Sequence, residues 1–393
     1  MFPTRKIRTF IPAGRRKCGE IRPRAGAGVR ALLVLAICPA FSACADDDPT
    51  GPPSTSGFDV LALNSTGQTL APYEVRGNEI RPAGPAVDLG AGFDGDGLVI
   101  SGDRAASAVS SFGGSSLVLV NLANGAVSRA LFPGPDAALV NPSRPSFDAG
   151  DSIWVGGRGS DAVYRLSPDA AEATLVARDV GTFVERVIPL GDRLYAIDAN
   201  LDDDGLTYGP LGPGRVVELD RSGSVRGVIV LPADAPNPSD GLLAGGRLIV
   251  LAGGSFDPAE FTPNSDGALI VVDPGSRRVI ATRPLGANGV RLSLGEDGKV
   301  YVTTTADYLT LKLLRFDPAS GEFERGPADP VETVDATGTV VDCWTATALG
   351  DGRVVCATFR TDAPGRLLLL RSGGSALSET PAGFGTTDLG IRR

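Results

Sequence analysis

The residue types that carry most enzymatic and metal chemistry are absent from this chain or isolated in it. Among its 393 residues there is no histidine. A Ser-His-Asp triad, a His-ligated zinc or iron site and haem attachment through Cys-x-x-Cys-His are therefore excluded. No Gly-x-Ser-x-Gly elbow occurs, and Cys343 and Cys356 lack the spacing of a metal knuckle. Gly90-Ala-Gly92-Phe-Asp-Gly95 matches a dinucleotide glycine pattern, but the apolar run after it reads as a strand, so no helix N-terminus is offered to phosphate and the segment reads as a turn. Asn200-Leu-Asp202-Asp-Asp204-Gly205 resembles the first half of a calcium loop, with oxygen ligands at alternating positions and glycine at the bend. Leu211 stands where the closing glutamate belongs, so calcium through Asn200, Asp202 and Asp204 is weighed against a solvated acidic loop. No other cofactor is implied. The remaining polar candidates, Arg144, Arg186, Asp240 and Arg291 with Trp344, all lie where the chain enters an apolar strand.

What positions them is a repeated strand-turn-strand hairpin. It occurs seven times, at Val60-Leu-Ala-Leu-Asn64, Leu117-Val-Leu-Val-Asn121, Val163-Tyr-Arg-Leu-Ser167, Val216-Val-Glu-Leu-Asp220, Ile270-Val-Val-Asp273, Leu313-Leu-Arg-Phe-Asp317 and Leu368-Leu-Leu-Arg371. The turn anchors are 44 to 57 residues apart, the size of a propeller blade. A second hairpin lies between anchors, as in Arg291-Leu-Ser-Leu-Gly-Glu-Asp-Gly298 leading into Lys299-Val-Tyr-Val-Thr303, so each repeat holds four strands. One such sheet has two faces to cover, and stacking neighbours around an axis covers them. The reading is an all-β, seven-bladed β-propeller, with six blades as the alternative.

Within residues 268–305, Val300-Tyr301-Val302-Thr303, the Asp273-Pro274 turn and Val279-Ile280-Ala281-Thr282 resemble the YVTN (YncE-like) propeller repeat family. The resemblance implies the fold and leaves function open. The first hairpin has no preceding partner. Residues 384–393 therefore supply the strand that closes the ring, in a blade of three strands shared between the termini, and closure removes open sheet edges.

The N-terminus reads as a leader. Residues 31–43 form a short apolar run after a basic segment, and the run ends Phe41-Ser42-Ala43-Cys44, which resembles a bacterial lipobox. The organisation is then a signal peptide at 1–43, whose length suggests a true start near Val29, a lipidated Cys44 with a tether to residue 57, and a propeller at 58–393. Removing 1–43 takes nine basic residues and one acidic one, leaving 28 basic against 45 acidic and a formal charge of −17. Such a surface argues against nucleic acid and against adsorption to anionic lipid. Membrane contact is expected through the lipid alone, in a bacterial envelope with the outer membrane favoured, and the protein is expected to be a monomer. Cys343 and Cys356, on strands joined by a tight turn, suit a disulfide in an oxidising compartment.

Two function classes survive. One is a binding or scaffold module for a protein, a peptide or a small anionic ligand, held on the face that carries long loops at 103–115, 198–213, 253–266 and 326–341, with the arginines suited to carboxylate or phosphate. The other is a metal-dependent hydrolase of lactonase type, known in related propellers, which needs an axial cage of Asp, Glu and Asn.

Overall fold

The computed structural model describes residues 58–392, apart from 93–94, 112–113, 135–136, 203–208, 258 and 261. The proposed signal peptide, Cys44 and the tether lie outside the described residues. Seven antiparallel sheets follow one another along the chain. We number the blades I to VII from the N-terminus. Their innermost strands are Thr386–Arg392, Gly95–Ser101, Ser146–Phe147, Val184–Leu190, Pro238–Ala244, Asn288–Leu294 and Thr345–Ala348.

The core explains why the second and third strands of most blades are rich in apolar residues. In blade V, Leu248, Ile249, Val250, Leu251 and Ala252 are all fully buried. Alternate residues point to opposite faces of a strand. Leu248, Val250 and Ala252 accordingly pack with Val216 and Ile229 of blade IV, while Ile249 and Leu251 pack with Leu292 and Val302 of blade VI. The same division recurs around the ring, one apolar cluster at each blade interface. At about 1.5–3 kcal/mol for each fully buried Val, Leu or Ile, these interfaces are the main stabilising term.

The ring closes through the C-terminus as expected. Thr386–Arg392 pairs antiparallel with Phe58–Asn64, with Leu63 opposite Asp388 and Asn64 opposite Thr386. Thr386 Oγ1 donates to Asn64 Oδ1 at 2.7 Å, and Ser65 N–H to Gly385 O at 2.9 Å. The closing blade holds more than three strands, because Glu79–Pro82 adds an outer strand through Tyr73–Pro82 and Arg76–Glu79 pairing, and Val87–Asp88 pairs the start of the same neighbour.

One expected loop is a strand. Residues 103–115 contain Arg104–Ser111, which runs through a short turn into Gly114–Asn121. The small Ala and Ser residues look irregular in the sequence. In the fold Ala105, Ala106, Ser107 and Ala108 are all buried, Ala106 and Ala108 against blade III and Ala105 against blade I. The other three long loops are present, between strands two and three of blade IV, between strands two and three of blade V, where Phe256–Asp257 and Thr262–Pro263 form an extra hairpin, and before the inner strand of blade VII.

Candidate functional site

Four inner strands share a local device. Their pairing slips by one residue near the start, between Asp96 and Leu98, Val184 and Arg186, Pro238 and Asp240, and Gly289 and Arg291. A bulge bends the strand and re-aims the side chain after it. Arg186 and Asp240 are thereby delivered to the same level of the axis on adjacent blades.

Asp240 is almost fully buried and both its oxygens are used. Oδ1 accepts from Arg186 Nη1 at 2.7 Å and from Gly241 N–H at 2.8 Å, and Oδ2 accepts from Arg144 Nη1. Arg186 also donates from Nε to Ser146 Oγ at 3.3 Å, and residues 144 and 186 form a parallel backbone bridge. Gly97 makes room for this cluster: its φ is +74°, and a Cβ there would stand 2.7 Å from Arg144 Cγ. Two arginines from blades III and IV thus converge on one carboxylate of blade V. Such a pair, taken from water, is strongly destabilised when one member is lost.

Arg291 turns elsewhere. Its guanidinium carbon lies 5.7 Å from the centroid of the Trp344 ring, and Trp344 stacks on Phe359 with centroids 4.8 Å apart and a tilt of 31°. Trp344 Nε1 is buried without a hydrogen-bond acceptor. Cys343, beside this tryptophan, meets Cys356 of the neighbouring strand with Cα atoms 5.7 Å apart, inside the disulfide range. Cys343 stands two residues before the inner strand of blade VII and not within it.

The calcium candidates fall at the root of the blade IV loop. Asn200 Nδ2 donates to Pro213 O at 3.0 Å and its Oδ1 accepts from Thr182 Oγ1 at 3.1 Å, so this amide ties the two ends of the loop together. Asp202 N–H donates to Gly209 O, and Asp204 lies outside the described residues. Beneath them Asp198 is fully buried, accepting Thr182 N–H at 2.9 Å, Asn200 N–H at 3.0 Å and Arg215 Nε at 2.8 Å. Among the described residues no group of three or more His, Cys, Asp or Glu side chains is arranged to hold a metal. The axial carboxylates are spoken for: Asp240 by arginines, and Asp388 by Leu98 N–H at 2.8 Å and Leu389 N–H at 2.9 Å.

The two faces of the ring differ in surface chemistry. The loop-rich face presents every exposed aromatic side chain among the described residues, namely Phe256, Tyr308, Phe359 and Phe384, together with Leu309 and Val340. Asp307 organises the Tyr308–Leu309 turn by accepting Leu309 N–H at 2.9 Å and Thr310 N–H at 2.7 Å, which holds its carboxyl below the usual range. Asp335 does the same in the blade VII loop: the Thr337 hydroxyl, then Thr339 N–H and Arg366, lower its pKa. On the opposite face Leu294, at the end of the blade VI inner strand, is exposed.

A cavity of about 530 Å³ occupies the axis. Arg144 and Arg186 lie at its inner end, Leu98, Ile100, Leu242 and Leu292 line its wall, and Ser101, Gly102, Leu294 and Glu296 mark the end nearest the short turns. It opens away from the long loops, with the Arg144–Asp240–Arg186 cluster between it and them. From their place at strand entries these arginines are expected to line an axial funnel on the loop-rich face; Arg144 and Arg186 do line an axial cavity, but it opens on the opposite side, and its size follows from the diameter of the ring and not from any motif.

These features define the class as a seven-bladed β-propeller whose ends share a blade. No family model and no curated protein matches the sequence. Among solved structures the chain is similar to a protein from Lactobacillus plantarum (14% identity, TM-score 0.56, covering 86% of this chain and 100% of that one). It is similar to virginiamycin B lyase from Staphylococcus aureus (14%, 0.51, 84% and 90%) and to the computationally designed protein Ika8 (10%, 0.50, 86% and 97%). At such identities the likeness shows the fold alone.

Proposed function

We propose that this chain is an exported, YVTN-like propeller, anchored to the bacterial envelope by a lipid on Cys44, whose loop-rich face binds a protein or peptide partner. The observation that carries the reading is the segregation of Phe256, Tyr308, Phe359 and Phe384 onto that face. Exposed aromatic residues on a rigid scaffold are the usual anchors of a partner. The Tyr308 turn is held in shape by Asp307 and the start of the Phe256 loop by Asp266, which lowers the ordering cost of association. Lipid anchoring rests on the sequence around Cys44 and the acidic, proline-containing tether that follows it. A binding role is favoured over the metal-dependent hydrolase because both oxygens of Asp240 face arginines.

The test is affinity capture from envelope extract with three forms of the protein: wild type, a Tyr308→Ser/Leu309→Ser/Phe359→Ser face variant, and a Val228→Ser/Val230→Ser rim variant. The expected result is one partner retained by wild type and the rim variant and lost by the face variant. Equal retention by all three contradicts the reading.

A further inference from the structure

The loop-rich face is divided in its charge. In sequence, the loops joining second and third strands in blades IV to VII, residues 199–214, 253–267, 306–310 and 358–365, hold eight acidic residues and one basic one, Arg360. Those of blades I to III, residues 65–68, 112–113 and 158–161, hold one of each. The exposed rings follow the acidic half: Phe256 adjoins Asp257, Tyr308 adjoins Asp307, and Phe359 lies in the loop of Asp362. Phe384 borders them, since Gly385 N–H donates to Arg360 O at 2.6 Å.

The carboxylates beside these rings bond neutral donors. Asp257 accepts Ala259 N–H at 2.8 Å and Glu260 N–H at 3.2 Å, Asp307 accepts two backbone N–H groups and the Thr310 hydroxyl, and Asp342 accepts Leu311 N–H at 2.9 Å. None of Asp257, Glu260, Asp307 and Asp342 is ion-paired with a described residue. Of the cations nearby, Arg291 lies over Trp344, Arg360 is held by Asp362 at 2.9 Å, and Lys312 is exposed, so negative charge is in excess. On the short-turn face Asp103, Asp148 and Asp351 are each held by an arginine, and the carboxylates without one, Glu79 and Asp169, have no exposed ring beside them.

We propose that the partner meets blades V, VI and VII with a basic and apolar segment whose charged residue is arginine. The inference rests on the loop-rich face being the partner face, and it names the chemistry of what binds there. An exposed ring with a carboxylate next to it suits a guanidinium, which lies flat on the ring and donates to the carboxylate at its edge. Arg291 over Trp344 is the same stacking made within the chain. An ammonium group is a compact point charge that stacks poorly, so lysine is the weaker fit. Apolar side chains between the arginines rest on Leu309 and Phe359, which are exposed on the same blades. Opposite charge across the contact favours the basic segment, and an acidic one is repelled.

Fluorescence anisotropy of the labelled peptide Gly-Arg-Leu-Arg-Phe-Arg-Leu-Arg-Gly with the full-length protein tests this. The peptide is expected to bind, its lysine counterpart about threefold and its glutamine counterpart about tenfold more weakly. Asp257→Asn/Asp307→Asn/Asp342→Asn, which keeps each acceptor oxygen and removes the charge, is expected to weaken the arginine peptide about tenfold. Glu79→Gln/Asp169→Asn/Asp192→Asn removes as many charges from the short-turn face and is expected to leave binding unchanged. If the first variant fails to fold, the arginine-to-glutamine ratio on the wild-type protein decides alone. Equal affinity for those two peptides, equal weakening by the two variants, or no binding of the arginine peptide at millimolar concentration overturns the proposal. A glutamine peptide bound as tightly as the arginine one, and lost in Tyr308→Ser/Leu309→Ser/Phe359→Ser, keeps the partner face and removes only the basic partner. Arginine-peptide binding lost in the short-turn variant alone removes both.

Discussion

Arg277, on a turn of blade V, places its Nη2 3.2 Å from Oε1 of Glu218, a fully buried carboxylate of blade IV. Arg193 holds the same carboxylate from within blade IV. The hydrogen bond from Arg277 is the chief reason that the Glu218 pKa is lowered, against the opposing effect of burial. An ion pair thereby joins neighbouring blades at a point where apolar packing gives way to turns.

The Glu218 contact makes stability depend on acid in a defined direction. A carboxylate whose folded pKa lies below its unfolded value stabilises the fold fully above the unfolded pKa and loses that contribution as pH falls through the folded one. Thermal melts are expected to be flat from pH 7 to about 5 and to decline below the ordinary glutamate range near 4.5. In Glu218→Gln the decline is expected to be shallower, and at pH 7 the variant should be less stable by about 1.5–3 kcal/mol, the worth of hydrogen bonds to a charged group. An unchanged acid limb in that variant would remove Glu218 from the account.

The axial cluster is expected to be unforgiving toward loss of its carboxylate. Asp240→Ala leaves two guanidinium groups without their shared partner, and urea unfolding should show a loss of about 3–5 kcal/mol. Gly97→Ala is expected to be destabilising through the same cluster, because its positive φ and the nearness of the Arg144 stem leave no place for a methyl group. Both variants melting like wild type would mean that the cluster contributes nothing.

Closure of the ring is testable at its seam. Truncation before Thr386 removes the inner strand of blade I and exposes the edge of Phe58–Asn64, so the protein is expected to aggregate on expression. Thr386→Val, which loses the buried hydrogen bond to Asn64, is expected to cost about 1–3 kcal/mol and to leave a soluble protein. A soluble, cooperatively folded truncation would show that the seam is dispensable.

Cys343 and Cys356 are expected to be oxidised in protein exported to an oxidising compartment, with no free thiol titrated in the unfolded propeller before reduction. They are 13 residues apart in sequence. Closing a loop of about that length contributes about 3 kcal/mol. Reduction, or Cys356→Ser, should lower the urea midpoint and change the fluorescence of Trp344, whose neighbour is Cys343. Identical midpoints before and after reduction would dismiss the link.

The fold was legible because its turns are written in Asp, Asn, Pro and Gly at regular spacing: Asn121, Asp220, Asp273 and Asp317 each sit at the turn after a buried strand. Closure was legible from one unpaired hairpin at Val60. The strand Arg104–Ser111 was not, since its buried Ala and Ser residues carry no apolar signal. Position alone marked Arg144, Arg186, Asp240 and Arg291, because it places them at strand entries. Which of them meet is set by bulges and by the neighbouring blade, and Arg291 goes to Trp344. Glu218 was invisible for a related reason: Val216-Val-Glu-Leu-Asp220 reads as a strand with one polar side, and its burial depends on Arg277, distant in sequence.

The central claim is that the loop-rich face binds the partner, and site-specific photocrosslinking in cells tests it most directly. Benzoylphenylalanine replaces Phe359 or Phe384 on that face and, separately, Leu294 on the opposite one. The account predicts a discrete high-mass adduct from positions 359 and 384 and none from 294. An adduct from 294 alone, or none from the two loop-face positions, would contradict it.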